Sequence, residues 1–281
     1  MRLGVFGLNL GPSFRPADTA RLARLAEELG FESVWAGEHV VVPSPRVAPS
    51  PLEPTDPILD PIVHLSFVAA VTERLLLASG IIILPQRNPV VLAKQAATLD
   101  VLSGGRLLLG VAAGYLGPEM SAVGVPMHER GARTDDHLAA MRALWTQPGP
   151  VEYVGRFTNF SGVDAHPRPV QRGGPRIVIG GHSSAAFRRA VASGHGWFGF
   201  ALTPEAAGEC VNGLREAAEQ VRRPPELGEL EVSVTPRHPL DPASLEAFTH
   251  NGVDRVVVNT IGATTVEEAA QRLESAARLV A

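Results

Sequence analysis

A single cysteine, Cys210, stands in a chain of 281 residues, so no internal disulfide can brace the fold. No cysteine or histidine pair has zinc-ligand spacing, which leaves a metal centre without ligands. Charge of one sign is scarce too. Twenty-five basic residues face 29 acidic ones for a net charge of −4, with no basic or acidic block. A nucleic-acid surface needs a clustered positive stripe, so no such partner is expected. The longest apolar runs fall far short of the ~20 residues of a membrane-spanning helix. The opening from Met1 to Gly7 is too short and glycine-broken for a signal peptide. A soluble cytoplasmic chain, with no membrane partner, is the expectation.

Glycine (28 residues) and proline (24) are plentiful, about a fifth of the chain against a typical ~12%. Hydrophobic residues still make up 45%, so the chain folds rather than staying disordered. Punctuation this dense implies many short elements with tight connections.

Strand-like runs alternate with helical patterns from end to end. Residues 2–9, 33–37, 75–83 and 107–112 read as the first four strands, and 176–179, 197–199, 230–235 and 255–259 as four more. Helices are expected over 16–29, 58–72, 88–102, 129–145, 183–193, 204–222, 242–249 and 265–279. In the first helix Leu22, Leu25, Ala26 and Leu29 recur at helical spacing, and Gly30 sits where a C-terminal cap belongs. Asn88 caps a later helix with Pro89 in its first turn.

Eight such steps average about 35 residues, the size of a parallel βα unit. The apolar runs Val256-Val257-Val258 and Leu107-Leu108-Leu109 suit strands buried on both faces. The expected fold is therefore α/β, a closed (β/α)8 TIM barrel formed by 1–281 as one domain. A doubly wound open sheet is the alternative, because periodicity does not show closure. Residues 40–61, with seven prolines, form a long loop after strand two. Residues 113–175 form an insertion after strand four, with a small hairpin near 151–157. Long loops in a compact domain are usually functional, and both leave the strand ends where barrel active sites lie.

Four groups there can carry chemistry. Glu38-His39 follows strand two, where a histidine can donate or accept a proton near neutral pH, or simply bond its own loop. Gly80-Ile81 lies within strand three, and a glycine there marks a bulge, a close approach or a loosened strand end. The run Gly110 to Tyr115, ending in Ala113, Gly114 and Tyr115, offers bare backbone to a flat ligand. It also reads as an ordinary glycine-rich turn, and it lacks the dinucleotide spacing. Gly180-Gly181-His182-Ser183 opens a helix, whose free N–H groups suit an anion unless Ser183 is a plain cap. The remaining histidines lack ligand spacing, Cys210 reads as a small apolar helix residue, and Glu129 with Arg133 forms an i, i+4 pair.

Several stretches together resemble the bacterial luciferase-like monooxygenase family, in its deazaflavin (coenzyme F-420) dependent branch. They are Gly30-Phe31-Glu32-Ser33-Val34-Trp35 with Glu38-His39, Leu84-Pro85-Gln86-Arg87-Asn88-Pro89, and Ser103-Gly104-Gly105-Arg106-Leu107 running to Gly110-Val111. Glu129-Arg130-Gly131, Gly180-Gly181 and Gly252-Val253-Asp254-Arg255-Val256 also fit. The resemblance spans nearly the whole chain and is most specific over 84–111. It implies a (β/α)8 barrel holding coenzyme F-420, or alternatively FMN, in its mouth, with the phosphate on Gly180 to Ser183. It implies a non-proline cis peptide at Gly80–Ile81 that presses a backbone bulge against the ring. It also implies His39 over the reacting centre, and weakly a homodimer.

Two departures from the family pattern matter. Glu38 stands where aspartate is usual, and Tyr115 aligns with a glutamate proposed as proton donor in the sugar-phosphate dehydrogenase members. A phenol with pKa near 10 is a poorer acid at neutral pH than a tuned carboxyl, which points away from that reaction. Glu119, four residues on, is not a simple substitute. The leading expectation is an oxidoreductase that moves a hydride between deazaflavin and a small organic substrate. The alternatives are an FMN-dependent monooxygenase fed by a separate reductase, and a non-catalytic flavin- or deazaflavin-binding barrel.

Overall fold

The apolar triplets seen in the sequence are each shared between two cores. Val256 and Val258 face outward into the layer under the helices, while Val257 points into the ring of strands. Leu107 and Leu109 likewise face outward and Leu108 inward. A strand buried on both faces needs no polar alternation, and that is why the parallel strands here read as unbroken apolar runs.

The computed structural model describes residues 1–280. The strands are β1 (Arg2–Phe6), β2 (Ser33–Ala36), β3 (Leu76–Ser79), β4 (Ile82–Ile83), β5 (Leu107–Ala112), β6 (Val151–Val154) and β7 (Asn159–Val163). They continue as β8 (Arg176–Gly180), β9 (Gly196–Leu202), β10 (Glu231–Pro236) and β11 (Arg255–Asn259). The helices are α1 (Pro16–Glu28), α2 (Pro61–Val71), α3 (Pro89–Leu102), α4 (Gly117–Ala122) and α5 (Arg130–Thr146). After them come α6 (Ser184–Ser193), α7 (Pro204–Gln220), α8 (Pro242–His250) and α9 (Val266–Ala277).

Closure is explicit in the register. Val5 of β1 pairs in parallel with Val34 of β2 on one side and Val258 of β11 on the other. The order β3, β2, β1, β11, β10, β9, β8, β5 returns to its start through a β3–β5 pairing. This is the expected closed eight-stave TIM barrel, not the open sheet. β3 and β4 are two halves of the third stave, divided at a cis Gly80–Ile81 peptide. β6 and β7 form the antiparallel hairpin of the insertion.

Local chemistry moved several boundaries. Gly7 has φ of +96°, a turn conformation that ends β1 at Phe6 instead of residue 9. The Asp60 side chain accepts from Val63 N at 3.0 Å and so starts α2 at Pro61, later than expected. β9 is longer than expected, 196–202. α4 was not anticipated.

The barrel interior is filled from the bottom up. Arg255, fully buried, donates from Nε to Glu32 at 2.6 Å and from a terminal nitrogen to Ser233 at 2.8 Å, and it also pairs with Glu231. Arg2 reaches Glu231 at 2.9 Å. Burial pushes the Glu231 carboxyl up, but Arg255 and Arg2 outweigh it and hold the group below the usual carboxylate range. Above this ionic plug the Trp35 and Phe198 rings stack at 4.8 Å, with Phe6 alongside Phe198 at 6.3 Å. These aromatics are the floor of the open upper end.

His64, on the inner face of α2, is almost wholly buried, and burial pushes its imidazole down to about 4 against a slight pull from the Leu8 backbone. An unfolded histidine titrates near 6.5, so between those values only the unfolded chain holds the proton. Stability from this site is complete above pH 6.5 and declines as pH falls towards 4, by up to about 1.4 kcal/mol per pH unit. His64→Leu is expected to give a shallower acid-side decline in urea midpoint, and an unchanged slope would contradict the assignment.

Candidate active site

The walls at the upper end are stripped of side chains because there is no room for them. A Cβ on Gly110 would lie 1.9 Å from the Ser79 carbonyl oxygen, so β5 can pass the β3–β4 break only as glycine. A Cβ on Gly180 would lie 2.9 Å from Ile81, and one on Gly114 would lie 2.5 Å from Ile83. Ile81 thus projects from the break between two bare strands. Above the aromatic floor this leaves a cavity of about 810 Å³, lined by Gly80, Ile81, Ala113, Gly114 and Tyr115 on one side and by Gly180 to Ser183 beyond. The volume lies within the range of cofactor pockets.

Glu38 borders the cavity, but its carboxylate is engaged within the wall. It is buried, with one oxygen accepting from Ile83 N at 2.7 Å and the other from Arg87 Nε at 2.8 Å. Arg87 also reaches Asp60 at 2.6 Å. Burial pushes the Glu38 carboxyl up, opposed by Arg87 and the Ile83 amide. Its carboxylate therefore braces the end of β2 against β4 and the start of α2.

His39 is different. Its Nδ1 lies 2.8 Å from Glu119 Oε2, while Glu119 Oε1 accepts from Val40 N at 2.7 Å. The Glu119 side chain is completely buried, and that of His39 is 10% exposed. An ionised carboxylate can only accept, so Nδ1 carries hydrogen and Nε2 is left to exchange a proton. Nε2 lies 3.4 Å from the Tyr115 hydroxyl, and the two rings meet edge-on at 5.9 Å. Burial, with the Glu119 charge behind it, pushes the Tyr115 phenol up, so it stays protonated and can donate. The arrangement is a three-membered proton chain ending in the cavity.

At the far end Gly181 takes φ of +117° and turns the chain into α6. Ser183 caps that helix, its hydroxyl accepting from Ala186 N at 3.3 Å. His182, exposed at the cavity rim, accepts from Phe200 N at 3.2 Å, and partial desolvation pushes its imidazole down. Arg130 lines the same end and donates to Met127 O at 2.6 Å, while Arg189 is pinned to Asp135 at 2.6 Å. Helix-end amides with a neighbouring guanidinium suit a phosphate. Bare walls leading to an anion end fit a planar ring carrying a phosphate tail.

All the sequence candidates gather at this one cavity. Glu119 was passed over, and it is the group that orients His39. Its only local signal was Pro118, which fits the first turn of α4 and so places Glu119 on a helix. Cys210 is half-buried on α7, remote from the cavity lining.

Comparison with known proteins agrees with this geometry. A protein of Mycobacterium tuberculosis described as uncharacterized is 38% identical over 200 residues, covering 68% of this chain and 71% of its own length. An FMNH2-dependent dimethylsulfone monooxygenase of Pseudomonas putida is 32% identical over 169 residues, 59% of this chain and 44% of that protein. The fold is shared with a monooxygenase from Streptomyces bottropensis (TM-score 0.82, 23% identity, 100% of this chain and 98% of that one). It is shared also with a coenzyme F-420-dependent secondary alcohol dehydrogenase (TM-score 0.79, 16% identity, 100% and 99%). With residues 1–276 matching its family model and the barrel mouth built as described, the chain belongs to the luciferase-like monooxygenase family.

Proposed function

We propose that this protein is an oxidoreductase that moves a hydride between coenzyme F-420 and a small organic substrate. The observation that supports it best is the Glu119–His39–Tyr115 chain at the cavity. Adding a hydride to a carbonyl carbon sends the C=O electron pair to oxygen, which must then take a proton; the reverse reaction must remove one. His39 Nε2 and the Tyr115 hydroxyl are groups able to give or take it. When bound, the deazaflavin supplies the carbon that gives or accepts the hydride. The Gly180–Ser183 turn and Arg130 would hold its phosphate, and the backbone at Gly80, Ile81, Ala113 and Gly114 would support its ring. Glu38 acts as a positioning residue, because its carboxylate holds the backbone behind Ile81.

A second reading is an FMN-dependent monooxygenase with a partner reductase. It is favoured by the relative named for FMNH2 and by another named as the oxygenase component of a trigonelline monooxygenase, 27% identical over 175 residues. Both cofactors carry a ribityl phosphate, so the anion end serves either. Titration with FMN, FAD and coenzyme F-420 separates the readings. Tighter binding of F-420, without oxygen uptake, is expected; tight FMN binding with none of F-420 would overturn the choice.

His39→Ala should keep coenzyme affinity and lose about 10²–10⁴-fold in turnover, the usual worth of a positioned acid–base group. Glu119→Gln should lose about 10²-fold while the coenzyme still binds. Unchanged turnover in both variants would remove His39 and Glu119 from the chemistry, and absence of turnover in the unsubstituted protein would leave a non-catalytic coenzyme-binding barrel.

The proposed assembly is a homodimer. Val63 and Phe67 of α2 and Val91 and Leu102 of α3 are exposed on two adjacent helices, an apolar face that a second copy would cover. Light scattering should report twice the 29.7 kDa chain mass, and a strictly monomeric mass would exclude it.

A further inference from the structure

The upper cavity is asymmetric in charge. The two guanidinium groups on its lining, Arg130 and Arg189, come from α5 and α6, on the side of β5 and β8. The opposite side follows β11, β1 and β2. Leu10, Leu52, Ile58 and Ile261 line it there, with Phe6 below and Phe200 reaching across at 5.1 Å from Phe6.

That apolar side is built by the proline-rich loop 40–61. Leu10 bridges to Ile58 and Leu59 N donates to Asn9 O at 3.0 Å. Asn9 Nδ2 donates to both Gly37 O and Leu59 O at 2.9 Å, so the loop is strapped to β1 and β2 rather than loose. The charged side chains of the loop and its surroundings are already engaged, Asp56 accepting from Glu53 N at 2.8 Å. Asp60 is held by Arg87 and the Val63 amide, Arg46 by Glu53, Glu38 by Arg87, and Glu119 by His39 and Val40. Asn259, the other polar side chain on this wall, accepts from Ile261 N at 2.8 Å. What remains to meet a ligand is hydrocarbon plus neutral polar groups, the Asn259 side-chain NH2 and the Tyr115 hydroxyl backed by His39.

Resting on the oxidoreductase reading, we propose that the substrate is an uncharged, largely hydrocarbon alcohol or ketone. Its oxygen lies at Tyr115 and His39, and its carbon chain lies along Leu52, Ile58 and Ile261. A carboxylate, phosphate or ammonium on that chain would lose water against hydrocarbon without meeting a counter-charge, at a net cost. A matching hydrocarbon tail removes apolar surface from water on both partners.

Calorimetry on protein loaded with the coenzyme it binds tests this without turnover. The probes are 2-octanone and 7-oxooctanoate, of equal length with the carbonyl at the same distance from the methyl end. The neutral ketone should bind at least about 30-fold tighter. Leu52→Arg, which supplies the missing counter-charge, should narrow that ratio by about tenfold or more, and retained coenzyme affinity would show that the variant folds. Equal or tighter binding of the carboxylate, or no binding of 2-octanone at millimolar concentration, would overturn the assignment. If 2-octanone binds with the expected preference yet coenzyme absorbance never changes in either direction, the pocket assignment stands and the oxidoreductase reading falls.

Discussion

One buried carboxylate holds the open end of this barrel in shape. Glu38 takes the Ile83 amide with one oxygen and Arg87 with the other, and Arg87 passes the connection on to Asp60 at the start of α2. Four segments meet there: the end of β2, the second half of the third stave, the entry to α3 and the entry to α2. Such a carboxyl group is costly to bury, and each of its oxygens is compensated by an accepted hydrogen bond. Ile81 is thereby held at the break in the stave, between the bare backbones of Gly110 and Gly180.

Two carboxylates in the same few ångströms of the mouth have separate tasks. Glu38 is paired with a guanidinium and an amide, which fixes backbone. Glu119 is paired with an imidazole and an amide, which fixes a tautomer and leaves His39 Nε2 for proton exchange. The same economy appears along the barrel axis. Arg255, Glu231, Glu32 and Arg2 concentrate charge at the bottom, while the guanidinium groups of the cavity lining, Arg130 and Arg189, are confined to the side of α5 and α6.

Much of the frame was legible from residues alone, since it rests on short-range chemistry. Asn88 before Pro89, Gly30 after a periodic run, and apolar triplets at 107–109 and 256–258 each specify their own element. Boundaries failed where a neighbour distant in sequence or a single dihedral intervened, as with Gly7 ending β1 and the Asp60 cap delaying α2. The bare positions at 110, 114 and 180 were visible as glycines. That Gly110 answers to the Ser79 carbonyl, and Gly180 to Ile81, required the register between staves.

The order of residues alone specifies the succession of βα steps, the glycine-lined turns and a histidine at the end of the second strand, because helix caps, turns and apolar periodicity act over a few residues. Only the tertiary structure decided that the staves close into a ring, and that Glu119, eighty positions from His39, is the group that orients it. The physical reason is that pairing between β1 and β11, or between a loop histidine and a short helix inside a long insertion, leaves no local periodicity. Such pairings are set by where the closed barrel brings its strand ends together.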